Sequence, residues 1–267
     1  MKEKIAILSF DIESDLGSDN EFNGVKSFVE CIKFNHLLRD IPKTLFVTVD
    51  ALMSQHSLIE SLDNFELGLH GLNHRLITNM NPYERQKLLT TSLKLFEEVG
   101  HKPCGFRATK LAIDNYMMKL LSDYGFLYDS SVLPRYVPFK RYVGWRGNTP
   151  MVPYHPNAND YRKAGDLNIL ELPISVTRIF NMPLSGTWLR YFGNLILKVH
   201  ALPTDLDYVH IFSHSWDFIP MKKFGYGAGK GYTRILIQII KKLLSESFEF
   251  RTCEEVARTY RDASRAR

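Results

Sequence analysis

Short apolar runs rich in β-branched and aromatic residues recur along this chain, and most are followed by a segment whose apolar residues fall at helical spacing. The runs cover 5–11, 44–50, 65–69, 104–108, 126–131, 167–174, 207–217 and 248–252. Helical patterns cover 25–38, 51–62, 81–99, 115–124, 188–200 and 233–244, and a further helix closes the chain. Strands that alternate with helix-length connections pair in parallel, because each crossover returns the chain to the edge it left. The pattern therefore predicts an α/β parallel sheet or barrel.

Local punctuation supports these spans. Residues 17–24 read as a loop and Pro42 interrupts the first helical pattern. Asn81 stands as an N-cap with Pro82 at the first helical position and Glu84 at the third, while Gly100 and Gly125 stop the helices before them. With 267 residues, 45% of them hydrophobic, the chain can bury a large core. No linker or charge block divides it, so 1–267 is expected to form one domain, and a (β/α) barrel of about 250 residues is of matching size.

The formal charge of +5 is mild, and no basic stripe interleaved with aromatics occurs, which excludes a nucleic-acid partner. The basic tail at 258–267 reads as a solvated end. The opening residues run straight into a strand too short and too acidic at its end for a signal or membrane span. Cys31, Cys104 and Cys253 are distant and odd in number, which argues against a disulfide framework and for a reducing, cytoplasmic setting. The apolar helix at 188–200 reads as a buried barrel helix, with weak peripheral membrane contact as the alternative. Oligomeric state is not legible.

Ionisable residues gather where the runs end. Asp11, Glu13 and Asp15 follow the first; His70 and His74 follow the third at i and i+4, a spacing that brings two imidazoles to one ion if the segment coils into a helical turn. A catalytic divalent metal usually takes a third protein ligand and keeps a position open for water, and the acids after the first run supply one. In an α/β fold these strand ends converge on one face. The bland alternative is an unrelated histidine pair and an acidic helix cap. Arg107, Asp129 and His214 stand at three further strand ends; Arg107 and Asp129 read either as site residues or as a buried ion pair.

Between 132 and 166 the regular pattern disappears. Pro134, Pro138, Pro150, Pro153 and Pro156 are interspersed with Tyr136, Phe139, Arg141, Tyr142, Trp145, Arg146, Tyr154 and His155. Such a stretch is a functional loop or lid whose aromatics stack on sugar rings, or an apolar plug at the barrel mouth. Residues 221–232 form a Gly/Lys-rich connection without phosphate-loop spacing. His210 reads as core or as support behind the site, and His36, His56, His101, His155 and His200 belong to no motif.

Phe10-Asp11, His70-Gly-Leu-Asn-His74, Gly105-Phe-Arg107-Ala108, Tyr128-Asp129-Ser-Ser131 and Phe212-Ser-His214-Ser-Trp-Asp217, in this order, resemble the polysaccharide deacetylase family, the NodB-homology domain of carbohydrate esterases. The resemblance runs from Ser9 to about Ala257. It implies a distorted (β/α) barrel of about seven strands. It also implies a divalent metal, zinc or similar, on Glu13, His70 and His74, with Asp11 as general base. Two departures stand out: the acids are separated by Ile12 rather than adjacent, and Thr109 occupies a position where the family places proline. The roles of Asp11 and Glu13 could be exchanged, or Asp15 could bind instead.

The chemistry follows. Such a metal lowers the pKa of bound water toward about 7 and polarises an acyl oxygen. Asp11 takes the proton, Arg107 holds Asp11 ionised, His214 protonates the leaving amine, Asp129 orients His214, and a backbone N–H near Lys110 completes an oxyanion hole. The expected activity is N-deacylation of an amino sugar, in a glycan or in a lipid- or nucleotide-linked precursor. The alternatives are a deformylase or amidohydrolase on another non-peptide C–N bond, and a metal-free sugar-binding barrel.

Overall fold

The computed structural model describes residues 3–16, 21–135, 148–220 and 226–265. In chain order the elements are β1 (Lys4–Ile12), α1 (Asn23–Phe34), α2 (His36–Asp40), β2 (Lys43–Val47), α3 (Val49–Ile59), β3 (Phe65–Leu69), α4 (Pro82–Glu98), β4 (Gly105–Phe106) and α5 (Asn115–Asp123). Then come β5 (Tyr128–Asp129), β6 (Leu170–Glu171), α6 (Gly186–Lys198), β7 (Tyr208–His214), α7 (Lys230–Ser245), β8 (Phe248–Arg251) and α8 (Cys253–Arg265). All pairings between these strands are parallel, as the crossover pattern predicts. Seven strands follow the path β6-β5-β4-β3-β2-β1-β7, and β8 pairs with the first half of β1, on residues 4–7, below the stretch 9–12 that pairs with β2.

The sheet curls into a distorted barrel whose last seam is irregular. Instead of a β6–β7 ladder, Ser175 N–H donates to the His210 carbonyl, His210 N–H donates to Ser175 Oγ, and Ser185 bridges Phe212. The strands expected at 104–108, 126–131 and 167–174 are correspondingly short. Their extended chain continues in single bonds, Ser130 N–H to Phe106 O and Leu172 N–H to Asp129 O, beyond the two-residue ladders.

β1 is buried on both faces, which is why it reads as a nearly unbroken apolar run. Ala6, Leu8, Phe10 and Ile12 belong to the large core between sheet and helices, where the Phe10 and Phe28 rings lie 4.7 Å apart. Ile5 and Ile7 belong to a second cluster with Phe46, Tyr128, Leu170 and Tyr208, closed by Cys253, Val256 and Ala257 of α8. Strand alternation places Ser9 and Asp11 on the same side as Ile5 and Ile7, one and two steps nearer the C-terminal end. The barrel interior is thus apolar at one end and polar at the other.

The capping box at Asn81 and Glu84 forms, with Pro82 opening α4. The helix expected over 25–38 is instead two, because Asn35 leaves helical geometry (φ −107°, ψ 105°) and its side chain accepts from Leu38 N–H, starting α2. α3 starts at Val49, two residues before the expected helix at 51. α6 buries Leu189 and Ile196 as a barrel helix does, while Tyr191, Phe192, Leu195 and Val199 remain exposed. Among the described residues no helix is long and apolar enough to cross a membrane. Of the loop expected at 132–166, residues 148–166 are irregular, and Tyr136, Phe139, Arg141, Tyr142, Trp145 and Arg146 lie outside the described residues. So do residues 221–225 of the Gly/Lys-rich connection.

Gly105 is required by a close approach. A Cβ there would stand 1.9 Å from Tyr128 Cζ, and Tyr128 is fully buried with its hydroxyl donating to Glu66. The Gly105→Ala substitution is expected to destabilise the fold by about 1–3 kcal/mol through overpacking. The denaturant midpoint should fall at unchanged slope.

Candidate active site

The polar strand ends meet at the C-terminal end of the sheet. Asp11 and His214 are register partners on adjacent strands. His70 follows β3, its N–H donating to Val47 O, and the chain then turns at Gly71, whose φ of 91° suits glycine. His70 and His74 therefore meet across an irregular turn rather than on the helical turn their spacing predicted. Their ring centroids lie 6.4 Å apart.

Glu13 stands between them. Its Oε2 lies 3.0 Å from His74 Nε2 and 3.4 Å from His70 Nε2. Metal–ligand bonds of about 2.0–2.1 Å in tetrahedral geometry place donor atoms about 3.3–3.4 Å apart, so this spacing is that of ligands around one small ion. Oε2 is buried and has no hydrogen-bond partner among the described residues, whereas Oε1 accepts from Trp216 Nε1 at 3.3 Å. His70 Nδ1 is 2.8 Å from the Arg107 carbonyl, which can only accept, so Nδ1 carries a proton and Nε2 is the atom turned toward Glu13. Burial pushes the Glu13 carboxyl up, but the His70 contact and the charges of His214, His70 and His74 outweigh it and hold the group at about 2. Burial lowers His74 despite the Glu13 carboxylate. Glu13, His70 and His74 could thus hold a divalent metal: the donor set is two imidazoles and a carboxylate, with one oxygen left unmatched by the protein.

Asp11 stands beside this group. Arg107 Nη1 donates to Asp11 Oδ1 at 2.7 Å, and the other oxygen lies 3.8 Å from His70 Nε2 and 3.9 Å from His214 Nε2. Arg107 is fully buried, donates also to Ser9 Oγ and to the Ser130 carbonyl and hydroxyl, and stacks 4.0 Å from the Phe46 ring. His210 is support behind the site: burial and the Arg107 charge push its pKa well below the usual range, and its Nε2 lies 2.8 Å from Ser9 Oγ. Asp15, the alternative ligand, is withdrawn from the cluster because its two oxygens accept from Asn23 and Gly24 N–H at the start of α1.

His214 is oriented by a different carboxylate from the one expected. Asp129 accepts from the N–H and the hydroxyl of Ser131 and faces Glu171. Burial raises it to about 6 and raises Glu171 further, each carboxyl disfavouring the charge of the other. Asp217 is the carboxylate that stands against the ring instead. It lies one turn beyond His214, accepts from His214 N–H, and sits 3.5 Å from His214 Nδ1. Asp217 also pairs with the buried Arg190 at 2.9 Å, and the bare Cα of Gly186 makes room for its carboxylate. Trp216 stacks on the imidazole at 4.2 Å. The legible signal was an acid three residues after the histidine in His214-Ser-Trp-Asp217.

The turn after Arg107 runs left-handed at Lys110 and Leu111 (φ 55° and 53°), and Leu111 N–H is already taken by Ala108 O. Thr109 donates its hydroxyl to Arg75 O, binding this turn to the His74 loop, a bond proline could not make. Beside His214, Leu111, Leu133, Ile174 and Phe212 form a small apolar cluster with Trp188 packed against it. His155, on the far loop, bonds through Nδ1 to backbone carbonyls of Leu167 and Ile169 and is structural.

Burial lowers the His214 pKa, but Asp217, with the charges of Glu13 and Asp11, reverses the shift and raises it. The imidazolium therefore persists to higher pH than in a free histidine. Replacing Asp217 with asparagine keeps the shape and removes the charge, so His214 should titrate at lower pH in Asp217→Asn. Histidine ring resonances followed by NMR titration read the midpoint directly, and an unchanged midpoint would contradict the assignment.

No protein-family model matches the chain. A stretch of 68 residues, 25% of this chain, is 40% identical to the peptidoglycan deacetylase-like protein FGM2 of Gibberella zeae and spans 20% of that protein's length. A crystal structure from Mycobacterium smegmatis, provisionally named a polysaccharide deacetylase, superposes with a TM-score of 0.67 at 17% identity, covering 98% of this chain and 92% of that one. The Bc1960 peptidoglycan N-acetylglucosamine deacetylase, bound to an N-oxidanyl-benzamide, gives 0.59 at 14% identity over 95% and 88%. A family 4 carbohydrate esterase pseudoenzyme from Bacillus anthracis gives 0.55 at 12% identity over 96% and 66%. At such identities the architecture is what is shared: this chain has the distorted-barrel fold of the polysaccharide deacetylases.

Proposed function

We propose that this chain is a polysaccharide deacetylase, a metal-dependent hydrolase that removes an N-acyl group, acetyl first of all, from an amino sugar in a glycan or glycan precursor. The observation that carries the reading is the unpartnered Glu13 Oε2 set between the Nε2 atoms of His70 and His74, beside an arginine-held Asp11 and facing His214. The likeness to the peptidoglycan deacetylase-like protein FGM2 and to the Bc1960 peptidoglycan N-acetylglucosamine deacetylase supports an amino-sugar glycan as the substrate class.

A divalent ion such as Zn2+ on Glu13, His70 and His74 would polarise the acyl oxygen and acidify water. Asp11 receives the proton of the attacking water on Oδ2, because Oδ1 is engaged by Arg107. The Arg107 guanidinium fixes the carboxylate's orientation and keeps its charge matched within the barrel. His214 donates its Nε2 proton to the departing nitrogen while Asp217 steadies the resulting change of charge at Nδ1. Stacking on Trp216 fixes the plane of the ring. The apolar cluster of Leu111, Leu133, Ile174 and Phe212 excludes water on that side of His214.

A second reading, a sugar-binding barrel without turnover, draws on the pseudoenzyme that shares this fold. The complete set of Asp11, Glu13, His70, His74, Arg107 and His214 in one cleft favours catalysis.

Elemental analysis coupled to an acetate-release assay on N-acetylated amino sugars tests the proposal. His70→Ala and His74→Ala should each lose one equivalent of bound ion and the activity together. His214→Ala should keep the ion and lose about 10²–10⁴-fold in kcat. Full acetate release by the His70→Ala/His74→Ala double variant would overturn the assignment. Release of formate or of a ureido product in place of acetate would move the chain to the deformylase or amidohydrolase alternative.

A further inference from the structure

We propose that the N-terminal end of the barrel carries a second divalent-cation site, formed by His56, Glu60 and His101. α3 starts at Val49 beside the C-terminal end of β2 and runs back along the sheet, so its last residues arrive at the end opposite Glu13, His70 and His74. His56 and Glu60, at i and i+4, face the same side there. Gly100, with a φ of 85°, ends α4 and turns His101 back toward α3 just ahead of β4.

One donor atom from each of the three residues lies within 4.8 Å of the others. His101 Nε2 is 2.9 Å from Glu60 Oε1, and the two imidazole rings lie 6.1 Å apart, edge to face. His56 Nε2 is shielded from solvent with no hydrogen-bond partner among the described residues. A shielded ring nitrogen without a partner is a standing cost, and a cation shared with His101 and Glu60 removes it. Coordination would bring the triad from its present spacing to the roughly 3.3 Å between tetrahedral donors. The half-exposed Glu60 and His101 side chains have room for that.

Two imidazoles and one carboxylate suit Zn2+, Ni2+ or Cu2+ and disfavour Mg2+ and Ca2+, which prefer all-oxygen shells. A neighbouring cluster at this end, Glu66, Cys104 and Glu254, lacks that character. Glu66 is already satisfied by Tyr128, Thr44 and the Glu254 N–H, and burial pushes the Cys104 thiol far above its usual range. In the His56 site the ion would tie α3 to the turn before β4, replacing an exposed Glu60–His101 pair that contributes little alone.

The test is zinc stoichiometry by competition with a chromophoric chelator. The His70→Ala/His74→Ala variant should still bind one equivalent, and adding His56→Ala and His101→Ala should abolish it. Zinc should raise the melting temperature of the first variant and leave that of the second unmoved. In the otherwise unaltered chain, His56→Ala/His101→Ala should cost one equivalent, a difference that does not depend on whether the Glu13 cluster binds metal. Stoichiometry unchanged by His56→Ala/His101→Ala, in either background, would overturn the site.

Discussion

A buried guanidinium at the polar end of the barrel holds the arrangement together. Removing an arginine from water costs several kcal/mol unless nearly every N–H finds an acceptor, and here the Arg107 donors are directed to Asp11, Ser9 and both oxygens of Ser130, with the Phe46 face against the group. These acceptors come from β1 and from the chain leaving β5, while the arginine leaves β4 and its own carbonyl accepts from His70. One residue, through its side chain and its carbonyl, therefore registers four segments on one another. It also sets the direction of Asp11, so the orientation of the proposed base is a property of barrel closure.

The rest of the interior is arranged so that this charge is confined to one end. Along β1, the same side carries Ile5 and Ile7 and then Ser9 and Asp11, a change from apolar to polar within four alternating positions. At the apolar end the buried acid Glu66 is matched by its surroundings: burial raises it to about 7 while Tyr128, Thr44 and the first turn of α8 saturate its oxygens. Low polarity at one end and matched charge at the other allow a cluster of ionisable groups to persist at the strand ends without swelling the core.

Most of this was legible where local signals are strong. β3 occupies its expected residues 65–69, and the Asn81 capping box opens α4 as read, because periodicity and capping are encoded within a few neighbouring positions. The convergence of Asp11, Glu13, His70, His74, Arg107 and His214 follows from parallel strands ending on one face. Asp129 failed for a reason that pattern cannot carry: its direction depends on its β6 partner Glu171, which lies across an irregular segment. Asn35 ended a helix early by accepting from Leu38 N–H, a competition between side chain and backbone that hydrophobic spacing does not report. The bonding at Ser175, where the ring closes without a ladder, is likewise tertiary in origin.

That irregular closure has a mechanical consequence when joined to the position of Asp217. The base side of the cleft is spread over segments far apart in the chain, whereas His214, Trp216 and Asp217 travel together on one strand terminus and the single turn that follows it. β7 borders the seam where hydrogen bonding is sparsest. β7 is paired with β1 from Ile5 through Asp11, so movement at that border carries Asp11 and His214 together, and the two groups that handle the proton belong to the continuously laddered part of the ring.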